Sequence, residues 1–315
     1  MIAARYWAPQ DVRIEHVAEP VPGAGEVVLR VEAALTCGTD AKCYRRGHPV
    51  LLGPPPAPFG HEYAGVVVAC GEDAPFAEGD RVCGVNSAPC SACAACLAGR
   101  EELCEHLYPL LNGAYAELLR VPARIAGVNL HRIPEGVPPE VAAALEPLAC
   151  AVHGADDAGV TAGQHVAIVG RGPLARLLAL ACEDRGATTE LLARDEGAPR
   201  SFECVIEAAG TPEAWERAIA LAAPGGTVVL FGGLPRDTMV PVDSYRLHYE
   251  ALTLRGSFHH RPRDVRAALE LLGRAGSSIA PLLTHEYALA DVVEPLQRSA
   301  GLVPRDGLLK AVIRP

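Results

Sequence analysis

Residues 165–186 read HVAIVGRGPLARLLALACEDRG, and this stretch decides the fold. Its first five residues are an apolar run of the kind that forms a buried strand. A glycine-rich turn follows at once, with the sequence Gly170-Arg171-Gly172-Pro173-Leu174-Ala175. The turn leads into an amphipathic helix that Gly186 ends. A G-x-G-x-x-A turn between a strand and a helix indicates dinucleotide binding, because glycines let the backbone approach a pyrophosphate at the helix N-terminus.

The chain downstream of this turn alternates between strand and helix patterns. Apolar runs of strand type recur at Thr188–Ala193, Phe202–Ala208, Thr227–Gly232 and Leu252–Phe258. Helical patterns occupy Pro212–Ala223 and Pro262–Arg274. Strands that alternate with helices predict an α/β fold with a doubly wound parallel sheet.

The chain upstream of residue 150 has a different pattern. Short β-type runs lie between Gly- and Pro-rich turns, for example at Val27–Val31, Tyr63–Val68 and Arg81–Val85. Few helical patterns precede Pro139–Leu148. A length of 315 residues suggests about two domains. The sequence therefore predicts a β-rich domain followed by the α/β domain.

Composition excludes several classes of function. The formal charge of −10 argues against a protein that coats nucleic acid or an anionic membrane. No apolar run reaches the roughly 18 residues of a membrane span, and the N-terminus carries no secretory pattern. We therefore expect a cytoplasmic protein, in which cysteines stay reduced.

Four of the eleven cysteines fall within one short loop, Cys90, Cys93, Cys96 and Cys104. Four thiolates at this spacing predict a closed, structural zinc site. A C-x2-C-x2-C run also begins the bacterial iron–sulfur pattern, but that pattern ends with C-x3-C-P, whereas here the last gap has seven residues. Four unrelated buried thiols are the remaining interpretation.

A second set of potential metal ligands is spread over three segments. Cys37 begins CGTD, His61 and Glu62 lie in GHE, and Glu146 begins EPLA. Together they offer sulfur, nitrogen and oxygen donors, which suit Zn²⁺. A site with few protein ligands leaves room for water or substrate, and this is the catalytic kind of zinc site.

CGTD, GHEYAGVV, the four-cysteine loop and EPLACAVHG follow one another as in zinc-dependent medium-chain dehydrogenases, which most of the chain resembles. The EPLA segment is similar to the polyol, sorbitol and threonine dehydrogenase branch. The resemblance implies a GroES-like catalytic domain over residues 1–150 and a Rossmann-type domain over 151–258. Residues 259–315 would return to the catalytic domain.

The resemblance also implies an activity and the residues that perform it. The reaction is hydride transfer between NAD(P) and a secondary alcohol, polyol or sugar. Cys37, His61 and Glu62 correspond to ligands of the catalytic zinc, and Glu146 to a fourth ligand or one exchanged with water. Thr39 matches the hydroxyl that contacts the substrate oxygen.

Two neighbours of Thr39 carry further expectations. Asp40 matches the carboxylate that contacts the ligand histidine. Many relatives have a histidine three residues after the threonine, but this chain has Lys42. A lysine base would need a strongly depressed pKa, so Lys42 is interpreted as a base, as a group that holds an anion, or as a surface lysine. His48 lies nearby in the sequence, but nothing assigns it to the site.

The predicted cofactor-binding domain is shorter than that of the family at one place. Only Asp195–Ser201 separates two predicted strands, whereas a helical crossover needs a dozen residues or more. One βα unit of the family is therefore missing, which predicts a shortened sheet, a shallow adenosine pocket and weak cofactor binding. In the predicted register Ala193 followed by Arg194 occupies the ribose-reading position, which favours NADP over NAD, whereas a slip of two residues would place the acidic Asp195 there instead. The nicotinamide half of the cofactor would lie against small or flat residues at the ends of strands. These residues are Gly210, Phe231, Gly232 and Gly233.

The sequence leaves two alternative functions open and also carries expectations about partners. A non-catalytic zinc protein of the same fold, acting as a sensor or an interaction module, is the main alternative, and a zinc-free enone reductase is a third. The resemblance implies a small-molecule substrate and a homodimer or homotetramer, with no nucleic acid or membrane partner. His259 and His260 lie after the last predicted strand and face either the cleft or solvent.

Overall fold

The computed structural model describes residues 1–193 and 201–315. The chain divides into two compact units. Unit 1 comprises Met1–Glu146 and Arg261–Pro315, and unit 2 comprises Pro147–His260. The N-terminal and C-terminal parts of the chain therefore share one unit, and the middle part forms the other.

The strands are, in chain order, β1 (Ile2–Ala8), β2 (Asp11–His16), β3 (Val27–Leu35), β4 (Ala57–Pro58), β5 (Glu62–Cys70), β6 (Arg81–Gly84), β7 (Leu118–Val121), β8 (Leu130–Arg132), β9 (His165–Val169), β10 (Thr188–Leu192), β11 (Phe202–Glu207), β12 (Ala222–Leu230), β13 (Thr253–Gly256), β14 (Leu283–Ala288) and β15 (Lys310–Arg314). The α-helices are α1 (Gly38–Arg46), α2 (Pro49–Leu52), α3 (Ala94–Leu97), α4 (Ala123–Val128), α5 (Pro139–Ala142), α6 (Leu145–Asp157), α7 (Pro173–Glu183), α8 (Pro212–Leu221), α9 (Ser244–Tyr249), α10 (Pro262–Ile279) and α11 (Val293–Ser299). Short 3₁₀ turns cover Glu101–Leu103, Ala280–Leu282 and Leu289–Asp291.

Unit 1 is built on a mostly antiparallel sheet. Its strands are ordered β14-β15-β3-β5-β6-β8, and β7 also pairs with β3. Apolar residues of β3 and β5 are fully buried, among them Leu29, Leu35 and Tyr63. The C-terminal strand β15 enters this sheet beside β3, where Val312 pairs with Leu35. Residues that are almost 280 positions apart in the sequence therefore become neighbours.

Unit 2 is built on a parallel sheet. In the described part of the chain it has five strands in the order β10-β9-β11-β12-β13. Val166–Val169 in β9 are fully buried, because a parallel strand is covered on both faces. The predicted α/β fold is therefore confirmed. Within residues 1–193 and 201–315, β10 forms one edge of the sheet, which fits the predicted loss of a βα unit.

Some elements differ from the predictions. The helical pattern predicted at Pro139–Leu148 is two helices, α5 and α6, and the last predicted strand is limited to Thr253–Gly256. Helix α1 was not predicted, because its mostly polar sequence has no long apolar periodicity. Its signal is a capping box, in which the Cys37 sulfur accepts from Thr39 N–H while Asp40 accepts from Cys37 N–H. Among the described helices, none is long and apolar enough to cross a membrane.

Candidate active site

The first candidate metal site lies where β3 and β5 meet in unit 1. Leu35 at the end of β3 pairs with Glu62 at the start of β5, so Cys37, two residues beyond β3, lies beside the GHE segment. One potential ligand atom from each of Cys37, His61 and Glu62 lies within 4.8 Å of the others. The structure therefore brings three of the predicted zinc ligands together.

Asp40 orients the histidine of this cluster. Its Oδ1 lies 3.0 Å from His61 Nδ1, and both side chains are buried. When Nδ1–H donates to this carboxylate, Nε2 is left to bind a metal ion. Burial opposes ionisation of Asp40, but the charge and hydrogen bond of His61 hold the pKa of this carboxyl below its usual value.

Tyr115 is a residue of the site that the sequence did not reveal. Its hydroxyl lies 2.7 Å from Asp40 Oδ2 and 3.1 Å from the carbonyl oxygen of Leu35. A phenol has one proton, and the shorter contact assigns that proton to Asp40. The chain Tyr115–Asp40–His61 therefore fixes the orientation of the histidine ring.

Removal of this hydroxyl should weaken the metal site. In Tyr115→Phe, we expect zinc affinity at the Cys37 cluster to fall about tenfold, the lower end for groups that orient a ligand histidine. Competition with a chelator measures this change. Tyr63→Phe is the matched control, because the Tyr63 hydroxyl donates to Val85 O at 3.3 Å and does not contact Asp40. Equal zinc affinity in both variants would contradict the orienting role.

Lys310 is the second residue that the sequence did not reveal. Its Nζ donates to Glu62 Oε2 at 2.5 Å and to Thr36 O at 2.8 Å, and its side chain is buried. Burial by itself disfavours the charged amine, but the negative charges of Glu62 and Cys37 raise the pKa of Lys310. The one feature of the sequence that points to this residue is the position of a lysine inside the apolar run LLKAVI.

The second oxygen of Glu62 supports metal binding. Oε1 is buried and has no hydrogen-bond partner, whereas Oε2 is held by Lys310. A buried carboxylate oxygen without a partner is costly unless an ion or a donor contacts it. Burial raises the pKa of Glu62 to about 7 despite the charge of Lys310. The donor set of Cys37, His61 and Glu62 Oε1 therefore fits zinc.

Glu146 lies near this cluster but is not part of it. It is buried in the first turn of α6, and its negative charge contributes to the raised pKa of Glu62. Among the described residues, its carboxylate is outside the group of ligand atoms formed by Cys37, His61 and Glu62. Its role as a fourth or exchanging ligand stays a prediction.

The other predicted residues of this region are on α1 or just after it. Thr39 is half-buried in the first turn, next to Cys37. Lys42 is exposed on α1, and its role as a base stays a prediction. Its role toward an anion stays a prediction. His48 caps α2, since its Nδ1 accepts from Leu51 N–H at 3.3 Å.

The four-cysteine loop forms a second cluster in unit 1. The sulfur of Cys93 lies 3.5 Å from that of Cys96 and 3.9 Å from that of Cys104, and the sulfurs of Cys90 and Cys96 are 4.0 Å apart. A tetrahedron with Zn–S bonds of about 2.3 Å has edges of about 3.8 Å. The spacing therefore fits one zinc ion. Backbone N–H groups of Cys96 and Glu105 lower the pKa of Cys93 to about 6, which favours the thiolate.

The predicted dinucleotide turn is formed in unit 2. Gly170 follows β9 with φ of +139°, Gly172 is the N-cap of α7, and Pro173 is its first residue. Leu174 follows in the first turn of α7 and is half-buried. The N-terminus of this helix offers backbone N–H groups to a phosphate, as the sequence predicts.

Two arginines lie beside this turn. Arg171 is exposed and its Nε lies 3.4 Å from Leu191 O, near the end of β10, and Arg176 Nε donates to Arg171 O. The end of β10 is where a dinucleotide fold reads the ribose. Arg194, which was predicted to read a 2′-phosphate, lies outside the described residues, so this prediction stays open.

The other predicted cofactor residues follow β11 and β12. Gly210 has φ of +66°, and Gly232 is buried between exposed Gly233 and half-buried Phe231. The Phe231 ring lies against Gly154, where an added Cβ would come within 2.8 Å of it. These residues lie at the carboxyl ends of parallel strands, but their contact with a cofactor stays a prediction. His260 is buried and His259 is half-buried, so neither is an open surface histidine.

Comparison with known proteins agrees with this geometry. The family model of the alcohol dehydrogenase GroES-like domain matches residues 23–135, and the model of zinc-binding dehydrogenases matches 184–274. A D-altritol 5-dehydrogenase of Agrobacterium fabrum is 32% identical, with 85% of this chain and 87% of the relative covered. An L-threonine 3-dehydrogenase of Aeromonas hydrophila is 30% identical, with 87% and 89% covered.

One solved structure adds a cofactor to the comparison. It is described as a zinc-binding dehydrogenase from Sinorhizobium meliloti 1021 bound to NADP. It is 28% identical, superposes with a TM-score of 0.86, and covers 100% of this chain and 99% of its own. With two family models and two relatives at 30% identity or more, the chain belongs to the zinc-binding alcohol dehydrogenase family.

Proposed function

We propose that this protein is a zinc-dependent oxidoreductase that transfers hydride between NAD(P) and a secondary alcohol of a polyol, a sugar or a hydroxy amino acid. The observation that carries the proposal is the cluster of half-buried Cys37 with buried His61 and Glu62, with its oriented histidine and one carboxylate oxygen without a partner. Two relatives support the substrate class, because their names place the oxidised carbon inside a chain that carries other polar groups.

Cys37, His61 and Glu62 would hold a zinc ion, and the chemistry that it would supply there is that of a Lewis acid toward a substrate hydroxyl. In this proposal the Thr39 hydroxyl accepts the proton of that hydroxyl and passes it outward. A bound NAD(P) would supply the hydride acceptor. The protein contributes orientation and charge, and the four-cysteine loop would hold a second zinc with a structural role.

Lys310 sets the charge of this site. The Cys37 thiolate and the Glu62 carboxylate together carry two negative charges, which would cancel the charge of one Zn²⁺. Lys310 adds one positive charge at 2.5 Å from Glu62. With the ionised Asp40 on His61 counted as well, the zinc-loaded cluster would be close to neutral, so Lys310 keeps these groups from being net negative beside a substrate oxygen.

A panel of alcohols tests the proposal. Zinc-loaded protein is incubated with NADP⁺ or NAD⁺ and in turn with threonine, altritol, sorbitol, a butanediol and ethanol, and reduction of the nicotinamide is followed by absorbance. We expect turnover with at least one polyol or hydroxy amino acid and little with ethanol. Absence of turnover with every member, at full zinc content, would contradict the proposal.

A preference for NADP over NAD is the finer part of the proposal. The NADP-bound relative, the exposed Arg171 and the neighbouring Arg176 support it. Arg194 would add a third cation to read the 2′-phosphate. The edge position of β10 in the described residues predicts a shallow adenosine pocket, so we expect micromolar rather than tighter affinity.

The same edge position favours a second candidate function, a non-catalytic zinc protein with weak or no dinucleotide binding. That protein would keep both zinc clusters but transfer no hydride. Cofactor titration separates the two candidates. A zinc-free enone reductase is disfavoured by the chemistry of the Cys37 cluster, and metal analysis checks this. The expected cytoplasmic location stays a prediction.

We also propose that the protein forms a homodimer or a larger oligomer through β13. This strand is the other edge of the sheet in the described residues, and it is largely exposed. Tyr245 and Tyr249 on the preceding helix α9 are also exposed, at 67% and 70%. Light scattering measures the mass in solution, and a monomer at micromolar concentration would contradict this part of the proposal.

A further inference from the structure

Glu207 is a buried carboxylate that the reaction described above does not use. It is the last residue of β11 and has no exposed surface. Its Oε1 accepts from Ala209 N–H at 2.6 Å and from Gly210 N–H at 2.7 Å. Its Oε2 accepts from Gly232 N–H at 3.0 Å. One side chain therefore ties the turn after β11 to the turn after β12.

The two turns are held in direct contact. A Cβ added to Gly232 would lie 2.3 Å from Gly210 N and 2.6 Å from Glu207 Oε2, so only glycine fits there. The indole Nε1 of Trp215 donates to Gly232 O at 2.9 Å. Side chains therefore bind both the N–H and the C=O of Gly232, which fixes the position of this residue from two sides.

These turns lie where an α/β sheet binds its ligand. The strand order reverses between β9 and β11, and ligands bind outside the carboxyl ends of the strands at such a switch point. The turn after β11 also borders the phosphate-binding turn, since a Cβ on Gly170 would lie 3.4 Å from the Ala208 carbonyl carbon. Glu207 therefore supports the floor of the proposed cofactor site from inside unit 2.

We propose that Glu207 is a positioning residue for the nicotinamide half of the cofactor, a role that rests on the proposed dehydrogenase function. It fixes the two glycine turns and does not itself contact the cofactor. An ionised carboxylate is required, because it only accepts hydrogen bonds and three N–H donors converge on it. The amide of a glutamine would place an NH2 group against at least one of these donors.

Glu207→Gln tests this role with two probes. NADP⁺ contains both halves of the cofactor, whereas adenosine 2′,5′-bisphosphate lacks the nicotinamide half. We expect the variant to bind NADP⁺ about tenfold more weakly, because an NH2 group then faces a buried N–H and pushes the two turns apart. Binding of adenosine 2′,5′-bisphosphate, followed by ligand-observed NMR, should stay within twofold of wild type. Glu203→Gln is the matched control, because Glu203 is an exposed glutamate on the same strand.

Three outcomes would overturn the role. Equal weakening of both probes would make Glu207 a general stabilising residue of unit 2, and unchanged NADP⁺ binding would make its carboxylate dispensable. A wild type that binds neither probe would remove the proposed cofactor site and this role together. If Glu207→Gln does not fold, Trp215→Phe replaces it. That variant loses the bond to Gly232 O together with part of the indole ring, and it should weaken NADP⁺ binding severalfold while leaving adenosine 2′,5′-bisphosphate binding unchanged.

Discussion

Replacing Cys37 by serine is expected to lower hydride transfer by at least about a thousandfold, which corresponds to the loss of a Lewis acid worth several kcal/mol to the transition state. A serine hydroxyl is a poor zinc ligand, whereas the thiolate is a strong one. Serine remains a good N-cap, so α1 should still form. Metal analysis should find the zinc content falling from two ions to one per chain.

The control for this variant is Cys70→Ser. Cys70 is half-buried at the end of β5, and its sulfur donates to Phe76 O, a bond that serine can also make. We expect Cys70→Ser to keep wild-type turnover and two zinc ions. Full turnover by Cys37→Ser after the loss of one ion would show that the reaction does not use this cluster.

Replacing Lys310 by methionine is expected to destabilise the zinc-free protein by about 3–5 kcal/mol, because Glu62 would be left as an unpaired buried charge. The loss should be smaller in the zinc-loaded protein, where the ion takes the place of the missing cation beside Glu62. Chemical denaturation with and without zinc measures both values.

The loss of unfolding free energy in Lys310→Met should depend on pH, and the direction of that dependence follows from Glu62. Burial raises the pKa of Glu62 to about 7, and the removal of Lys310 takes away a charge that lowers it. Protonated Glu62 carries no charge, so the variant should be least affected well below this pH. The deficit should grow as the pH rises through about 7, because the folded state must then keep a charged Glu62 without its partner.

Arg45→Met is the control for this prediction, since Arg45 is an exposed cation on α1. Its unfolding free energy should stay within about 0.5 kcal/mol of wild type. The double variant of Glu62→Gln and Lys310→Met should recover much of the lost stability, because neither charge is then unpaired. A zinc-free Lys310→Met protein as stable as wild type would contradict the ion pair.

The sequence alone was sufficient for the parts of the fold that local patterns encode. Parallel strands such as β9 are buried on both faces and therefore appear as continuous apolar runs. The ligands Cys90, Cys93, Cys96 and Cys104 lie within fifteen residues, so their grouping is visible before any fold is known. The edge position of β10 likewise follows from the length of one short link.

The remaining residues of the site depend on pairing over long distances. Lys310 and Glu62 are 248 positions apart, and only the pairing of β15 with β3 brings them together. Tyr115 is 75 positions from Asp40 and lies in a loop without a recognisable pattern. Glu207 follows an apolar run and resembles an ordinary strand end. In each case the contact that decides the role is local in space but not in sequence, and for Glu207 it is the bond to Gly232, 25 positions away.

The central claim, a zinc dehydrogenase with a working cofactor site, is tested most directly by calorimetric titration of the zinc-loaded protein with NADP⁺ and NAD⁺ side by side. We predict a micromolar Kd for NADP⁺ and clearly weaker binding of NAD⁺, because arginines beside β10 favour the 2′-phosphate. If neither cofactor binds, the shortened sheet has lost the cofactor site. That result would contradict the proposed reaction and favour a non-catalytic zinc protein of the same fold.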